Sequence, residues 1–251
     1  MTSVATFSPE SGLIDQITFL KKVTSVKLPI ITTNKKITYY DIPCAFDIEV
    51  SSFYDKGKKC AAMYIWQFGM LNWVTYGRTW DEFTSFMGLL SHVLGLSEDV
   101  RLPCYIHNLA YEFQFLRTIY DFSPEEVFCL DSRKPAKATM HRKALELRCT
   151  YIHSNMSLAQ YTKKMGVKHT KLSGEEFDYK KVRYPWTELS DQELAYCAHD
   201  VIGLCEAYVA EMQLDGDNLA TMPLTSTGYV RRICKRAMKH ASKWVRPDVG
   251  M

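Results

Sequence analysis

Hydrophobic residues recur along the chain with two periods, and the switch between them marks its elements. Early on, KLPIITT and ITYYDIP flank Asn34-Lys35-Lys36 and predict a hairpin. CAFDIEVSSF (44–53) reads as a buried strand carrying a carboxylate pair. CAAMYIWQFGM and LNWVTYGR read as two more strands joined by a tight turn near Gly69. TWDEFTSFMGLLSHVLG changes to helical spacing. Thr79 is its cap, and Asp81 and Glu82 sit in the first turn, where acids complement the positive end of the helix dipole. LPCYIHN predicts a short strand running into a helix over LAYEFQFLRTIY.

VFCL and LELRCTYIH predict strands on either side of a basic stretch, SRKPAKATMHRK. MSLAQYTKKMG predicts a short helix ended by Gly166, and residues 167–187 an irregular loop containing Gly174 and Pro185. LSDQELAYCAHDVIGLCEAYVAEMQ predicts a long helix. Ser190 caps it, and Glu193 three residues on completes a capping box. Strands first, then strands alternating with helices, predict an α/β fold with a central mixed sheet covered by helices. Beyond a break at Gly216, Val230, Ile233, Ala237, Ala241 and Trp244 share one helical face, and Arg232, Arg236, Lys239 and Lys243 another. This predicts a helix packed on the body by its apolar face, its basic stripe outward.

Composition narrows the class. A chain of 251 residues, 47% hydrophobic and 13% aromatic, suits a well-packed globular protein. No apolar run approaches the ~20 residues that span a bilayer. MTSVATFSPESGLIDQ lacks a basic segment followed by an apolar one, so no secretory leader is expected. None of the eight cysteines forms a C-x-x-C pair, and most sit inside apolar runs, which argues against zinc and for buried free thiols in a reducing cytosol. The net charge is only +3, but residues 231–246 carry seven Lys and Arg and no acid, leaving 24 bases against 28 acids elsewhere. A mildly acidic body with a basic end suits a protein that holds cations in one place and phosphates in another.

The candidate chemistry lies in three carboxylate-bearing segments. Asp47-Ile48-Glu49 puts two acids at i and i+2 of a strand, on one face. A second D-x-E, Asp191-Gln192-Glu193, is accounted for by a solvated helix start. The first differs by its apolar setting, where two unpartnered carboxylates would cost several kcal/mol each, roughly, unless a hard cation sits between them. Asn108 and Glu112 lie one turn apart at the start of a helix, although an exposed glutamate on an amphipathic helix would look the same. Tyr196 and Asp200, at i and i+4, lie one above the other on the long helix, and His199 falls off that face.

FDIEVSSF, YIHNLAYEF and YCAHD resemble, in order and spacing, the three motifs of the DEDD exonucleases with a tyrosine in the third motif. The chain is most similar to the N-terminal exonuclease domain of protein-primed family B DNA polymerases of phages and linear plasmids. Ser157-Leu158 resembles that family's contact to single-stranded DNA, Lys171 with Gly174 and Asp178-Tyr179 its lysine motif, and PLTSTGYVRR the stretch leading toward the polymerase domain. The resemblance implies an RNase H-like (DnaQ-like) fold and a 3′→5′ exonuclease that removes nucleotides from single-stranded DNA ends, as in proofreading. It implies two Mg²⁺ or Mn²⁺ ions on Asp47, Glu49, Glu112 and Asp200, with Tyr196 and Lys171 as further catalytic residues. It gives DNA contacts to Asn108, Ser157, Leu158, Arg232, Arg236, Lys239 and Lys243. Tyr111 and Phe113 are candidates for base stacking or core.

Two positions depart from the family. Glu112 stands where the family has Asp, and Val50 where a Thr commonly follows the first-motif Glu. No Asp-bearing palm motif follows before Met251, so polymerase activity is not assigned to these residues. The expected organisation is an N-terminal extension (1–40), an exonuclease domain (41–215) and a basic helical segment (216–251) leading toward a polymerase domain or a separate polymerase chain. An RNA-directed exonuclease of the same superfamily, a catalytically silent DNA-binding module and a polymerase-docking subunit stay open.

Overall fold

The computed structural model describes residues 13–71, 73–171 and 181–240, the side chains of Lys239 and His240 excepted. Its strands are β1 (Leu13–Ile14), β2 (Ile30–Thr32), β3 (Thr38–Tyr40), β4 (Cys44–Asp55), β5 (Lys58–Met70), β6 (Trp73–Gly77), β7 (Val100–Ile106), β8 (Val127–Cys129), β9 (Pro135–Met140) and β10 (Leu145–Cys149). Its helices are α1 (Gln16–Thr24), α2 (Trp80–Val93), α3 (Leu109–Leu116), α4 (Thr150–Ser154), α5 (Leu158–Met165), α6 (Asp191–Asp215) and α7 (Ser226–His240). The sheet order is β1-β6-β5-β4-β7-β10-β9-β8, and the β2–β3 hairpin adds to β7. β4, β7 and β10 run parallel, β5 pairs antiparallel with β4 and β6, β9 pairs antiparallel with β10 and β8, and β1 adds parallel to β6.

Strand alternation sorts the residues into two layers. Phe46 and Ile48 of β4 join Trp66 and Phe68 of β5 in the main core, where Phe83 and Phe86 of α2 and Phe19 of α1 pack against them. The odd-numbered positions of the same strands face α6. At Gly69 a Cβ would lie 2.5 Å from Val201 Cγ1, so the glycine lets α6 lie directly on β5. The Tyr208 hydroxyl of α6 accepts from the Cys44 amide and donates to the Cys44 carbonyl, tying the helix to the start of β4. The two carboxylates of β4 thereby share the α6 face, on the side opposite the aromatic core.

Most patterned elements appear with the expected chemistry. Thr79 and Ser190 form capping boxes with Glu82 and Glu193, Gly166 ends α5 in a left-handed conformation, and the β2–β3 hairpin forms around Asn34-Lys35-Lys36. Several details differ. The β5–β6 turn lies beyond Met70, and Gly69 is inside the strand because it serves helix packing. The basic stretch 132–143 contains β9, whose buried Ala136, Ala138 and Met140 alternate with polar residues. Thr150–Ser154 is helical, not the end of a strand, and α3 stops at Leu116. All eight cysteines are free thiols; Cys129 and Cys234 are exposed and Cys60 is half-buried. Among the described residues, no helix is long and apolar enough to cross a membrane.

Candidate metal centre

β4 and β7 run parallel side by side, and α3 begins as soon as β7 ends. A crevice outside the C-terminal ends of parallel strands is where open α/β sheets place ligands. Asp47 and Glu49 project into it from β4. Next to them the ladder slips: Glu49 pairs with Ile65 but Val50 with Met63, leaving Tyr64 as an extra residue on β5. Such a bulge bends the strand locally and often borders a functional site. Val50 itself points the other way, into the main core.

α6 crosses above and supplies Tyr196 and Asp200, one turn apart and both buried. Oxygen atoms of Asp47, Glu49 and Asp200 all lie within 4.8 Å of one another. From α3, the buried Glu112 brings its carboxyl group close enough to Asp47 that each shifts the other. Lys171 Nζ donates to Asp200 Oδ2 at 2.5 Å and lies 5.5 Å from the centre of the Tyr196 ring. The structure thus gathers Asp47, Glu49, Glu112, Tyr196, Asp200 and Lys171 around one crevice.

The charges do not balance. Burial and the facing Asp200 push Asp47 up to about 7. Burial and Asp47 push Glu49 and Glu112 well above the usual carboxylate range, and burial raises Asp200 against the pull of Lys171. The Lys171 ammonium is disfavoured by burial, but Asp200 outweighs this and holds it above its ordinary value. Arg183, the next cation, is held by Glu193. Among the described residues, Glu112 Oε2, Asp200 Oδ1 and both amide atoms of Gln67 are buried without a hydrogen-bond partner. An all-oxygen carboxylate donor set with unsatisfied atoms fits a hard divalent cation.

Gln67 was not among the sequence candidates. It pairs directly with Asp47 across the β4–β5 ladder, so the two share a face, and it is fully buried. The available signal was an amide alone in the apolar run MYIWQFGM. His107, at the end of β7, was also missed. Burial pulls it down to about 4, so it is neutral at neutral pH, and its Nδ1 lies 3.0 Å from Thr150 Oγ1.

The expected nucleic-acid contacts are more dispersed. Asn108 is exposed before α3 and makes no capping bond. Ser157 caps α5, accepting from the Gln160 amide, and Leu158 is buried against α6-side core residues. Tyr111 is exposed on α3, whereas Phe113 packs on Phe122. The expected orientation of the C-terminal helix is corrected. On α7, Val230 and Ile233 are 59% and 63% exposed, and Arg232 instead turns inward to Asp215 and Asp217. Those acids at the end of α6 capture the guanidinium, and the apolar stripe is left outside. Arg236 is exposed. The Lys239 side chain, Lys243, Ala241 and Trp244 lie outside the described residues, as do Gly174, Asp178 and Tyr179 of the lysine motif.

Sheet order, helices on both faces and the crevice between β4 and β7 define an RNase H-like exonuclease fold. Two solved structures share it. Phi29 DNA polymerase complexed with single-stranded DNA superposes with a TM-score of 0.57 at 14% identity, over 79% of this chain and 35% of the polymerase. The same polymerase with primer-template DNA and incoming nucleotide gives a TM-score of 0.55 at 14% identity, over 79% of this chain and 36% of the polymerase. The chain thus spans about a third of the polymerase chains it matches. The Aedes aegypti Nibbler EXO domain matches at a TM-score of 0.45 and 13% identity, over 88% of this chain and 93% of that domain. No protein-family profile and no curated protein sequence matches the chain.

Proposed function

We propose that this protein is a metal-dependent 3′→5′ exonuclease acting on single-stranded DNA ends, of the kind that proofreads in phage-type family B polymerases. One observation carries the reading. Asp47, Glu49 and Asp200 bring their oxygens within 4.8 Å of one another in a half-buried crevice that, among the described residues, holds more carboxyl groups than cations. Asp47, Glu49 and Asp200 would hold Mg²⁺ or Mn²⁺, and Glu112 would complete a second site. Divalent cations bound there supply a lowered pKa for the attacking water and charge neutralisation at the leaving 3′ oxygen.

The chain's own groups do the rest. Tyr196 orients the attacking water from its place one turn before Asp200. Lys171, which pairs with Asp200, would contact the scissile phosphate, and its ammonium would be free to do so where Asp200 holds a cation. Gln67, opposite Asp47 with both amide atoms unpartnered, would turn its amide to the Asp47 carboxylate when that group ligates a cation and so fix its orientation. Asn108 and the Ser157-Leu158 corner grip the terminal nucleotides, and exposed Arg236 contributes phosphate attraction from α7. Residues 41–215 form the catalytic unit in this reading, and 216–251 lead toward a polymerase domain or a separate polymerase chain, in the cytoplasm of the host cell.

The test is a 5′-labelled single-stranded oligonucleotide incubated with Mg²⁺ or Mn²⁺. A descending ladder is expected, and the Asp47→Ala, Glu49→Ala double variant should slow it on the order of 10³-fold or more. Release of the labelled 5′ mononucleotide as first product, or wild-type trimming by the double variant, would overturn the reading. Faster trimming of RNA than of DNA would move the substrate to RNA.

A further inference from the structure

One exposed feature beside the crevice is built with more care than a loop requires. Residues 184–187 make a turn: the Thr187 amide donates to the Tyr184 carbonyl at 2.9 Å, and the Tyr184 amide donates to Thr187 Oγ1 at 2.9 Å. Pro185 restricts the backbone inside it. Arg78 pins it from the sheet, giving Nη2 to the Tyr184 and Thr187 carbonyls at 3.1 and 2.7 Å and Nε to the Tyr64 carbonyl at 2.6 Å. Yet the turn presents Trp186 at 79% exposure. The indole lies parallel to the Tyr184 ring, with centroids 5.0 Å apart and planes 5° apart, so one face is backed and the other is open.

The position is continuous with the carboxylate crevice. Ser51, two residues beyond Glu49 and on the same face of β4, accepts from the Arg183 amide at 2.8 Å. Phe53, two residues further, packs on Tyr184 with centroids 5.6 Å apart. Beyond it, the β4–β5 turn carries the exposed Lys56, Lys58 and Lys59. Four strand residues from Glu49 to Phe53 span ~13 Å, about four nucleotides at the ~3.4 Å rise of a stacked strand, and the ring contacts from Phe53 to Tyr184 and from Tyr184 to Trp186 carry the path further. A rigid, backed, half-open indole at that distance suits a planar, uncharged ring. Arginine-held backbone makes the ring ready without further ordering, which is how a preorganised stacking site gains affinity.

We propose that the Tyr184–Trp186 pair is a base-stacking subsite for single-stranded nucleic acid, receiving a base at least about four nucleotides from the end held at the carboxylates. The proposal rests on the exonuclease reading and adds a required strand length to it. Stacking is indifferent to base identity because every base has a π-face.

The experiment measures binding of the oligothymidylates dT2 and dT8, and of the ribo-oligomer U8. It uses the Asp47→Ala, Glu49→Ala background, so that no strand is trimmed, and compares it with the same protein carrying Trp186→Ala or Trp186→Phe. Trp186→Ala should weaken dT8 by ~10-fold or more, leave dT2 unchanged and leave the slope of log affinity against log salt unchanged, since no ion pair is lost. Trp186→Phe should recover most of the loss. An abasic residue at the stacked position of an eight-mer should erase the difference between the parent protein and its Trp186→Ala variant. Unchanged dT8 and U8 affinity, or equal losses for dT2 and dT8, would overturn the subsite. A loss confined to U8 would keep it and assign the strand as RNA. Failure of the parent protein to bind any single strand would instead overturn the exonuclease reading.

Discussion

Two buried charge clusters sit on the same sheet and resolve opposite problems. At one, Glu146 of β10 is surrounded by Arg148, Arg101 and Lys137, at 2.8, 3.3 and 3.9 Å. Burial would raise its carboxyl, but Arg148, Lys137 and Arg101 together hold it below the usual range. Arg148 also donates to the Leu219 carbonyl and lies 5.8 Å from the Tyr105 ring centre. At the other, Asp47, Glu49, Glu112 and Asp200 share Lys171, and every carboxyl is raised. The first cluster is complete within the chain and acts as structure. Among the described residues the second has four carboxyls to one lysine, a balance opposite to that around Glu146.

The largest expected effect sets the two clusters against each other. Glu146→Gln leaves Arg148 and Arg101 buried without their counter-charge and should destabilise the fold by about 3–5 kcal/mol. In metal-free buffer, Asp47→Ala with Glu49→Ala should do the reverse and raise the melting temperature, because like-charge repulsion is relieved. Thermal unfolding of both variants measures this, and shifts of the same sign would break the comparison.

A smaller effect concerns Gln67. Gln67→Leu removes a buried amide that lacks a partner, so metal-free stability should hold or rise. Affinity for Mn²⁺, read by calorimetry, should fall by ~10-fold. Unchanged Mn²⁺ affinity with lost stability would make Gln67 a packing residue.

The smallest effect is a pH dependence. Asp47 rises from its ordinary 3.8 to about 7, so its native form binds the proton more tightly than the unfolded chain. That contribution is full below 3.8 and is lost as pH rises through about 7. Glu146 has the opposite sign: its contribution is present above 4.5 and is lost as pH falls through its lowered native value. Between pH 7 and 5, metal-free wild type should therefore gain stability on acidification relative to its Asp47→Ala, Glu49→Ala variant, His107, held down at about 4, opposing the gain in both, and saturating Mn²⁺ should flatten or reverse the difference, since the cation competes with the protons. A metal-free melting temperature that changes over that interval equally in wild type and variant would show that the cluster is not proton-loaded.

Local spacing made part of this legible. The i, i+2 acids on an alternating strand and the i, i+4 Tyr196 and Asp200 on a helix needed only the repeat of each element to be put on one face. The caps at Thr79 and Ser190 are equally local. β9 was hidden because Lys137 and its basic neighbours obscure the buried Ala136, Ala138 and Met140. The face of α7 was misjudged because periodicity distinguishes two sides of a helix without saying which one meets the body. Asp215 and Asp217 decided that by capturing Arg232.

By itself, then, the chain's pattern determined the strands and helices and which residues share a face within each, since those follow from interactions a few positions apart. Only the tertiary structure decided which buried charges are compensated. Glu146 meets Arg101 from 45 residues away, while Glu112 meets Asp47 from a different element and finds another acid there. Coulomb energies depend on distance in space and on desolvation, neither of which is encoded in local spacing. The same residue type is therefore a structural anchor held below its ordinary range on β10 and, on α3, a carboxyl that burial and a neighbouring acid push above it.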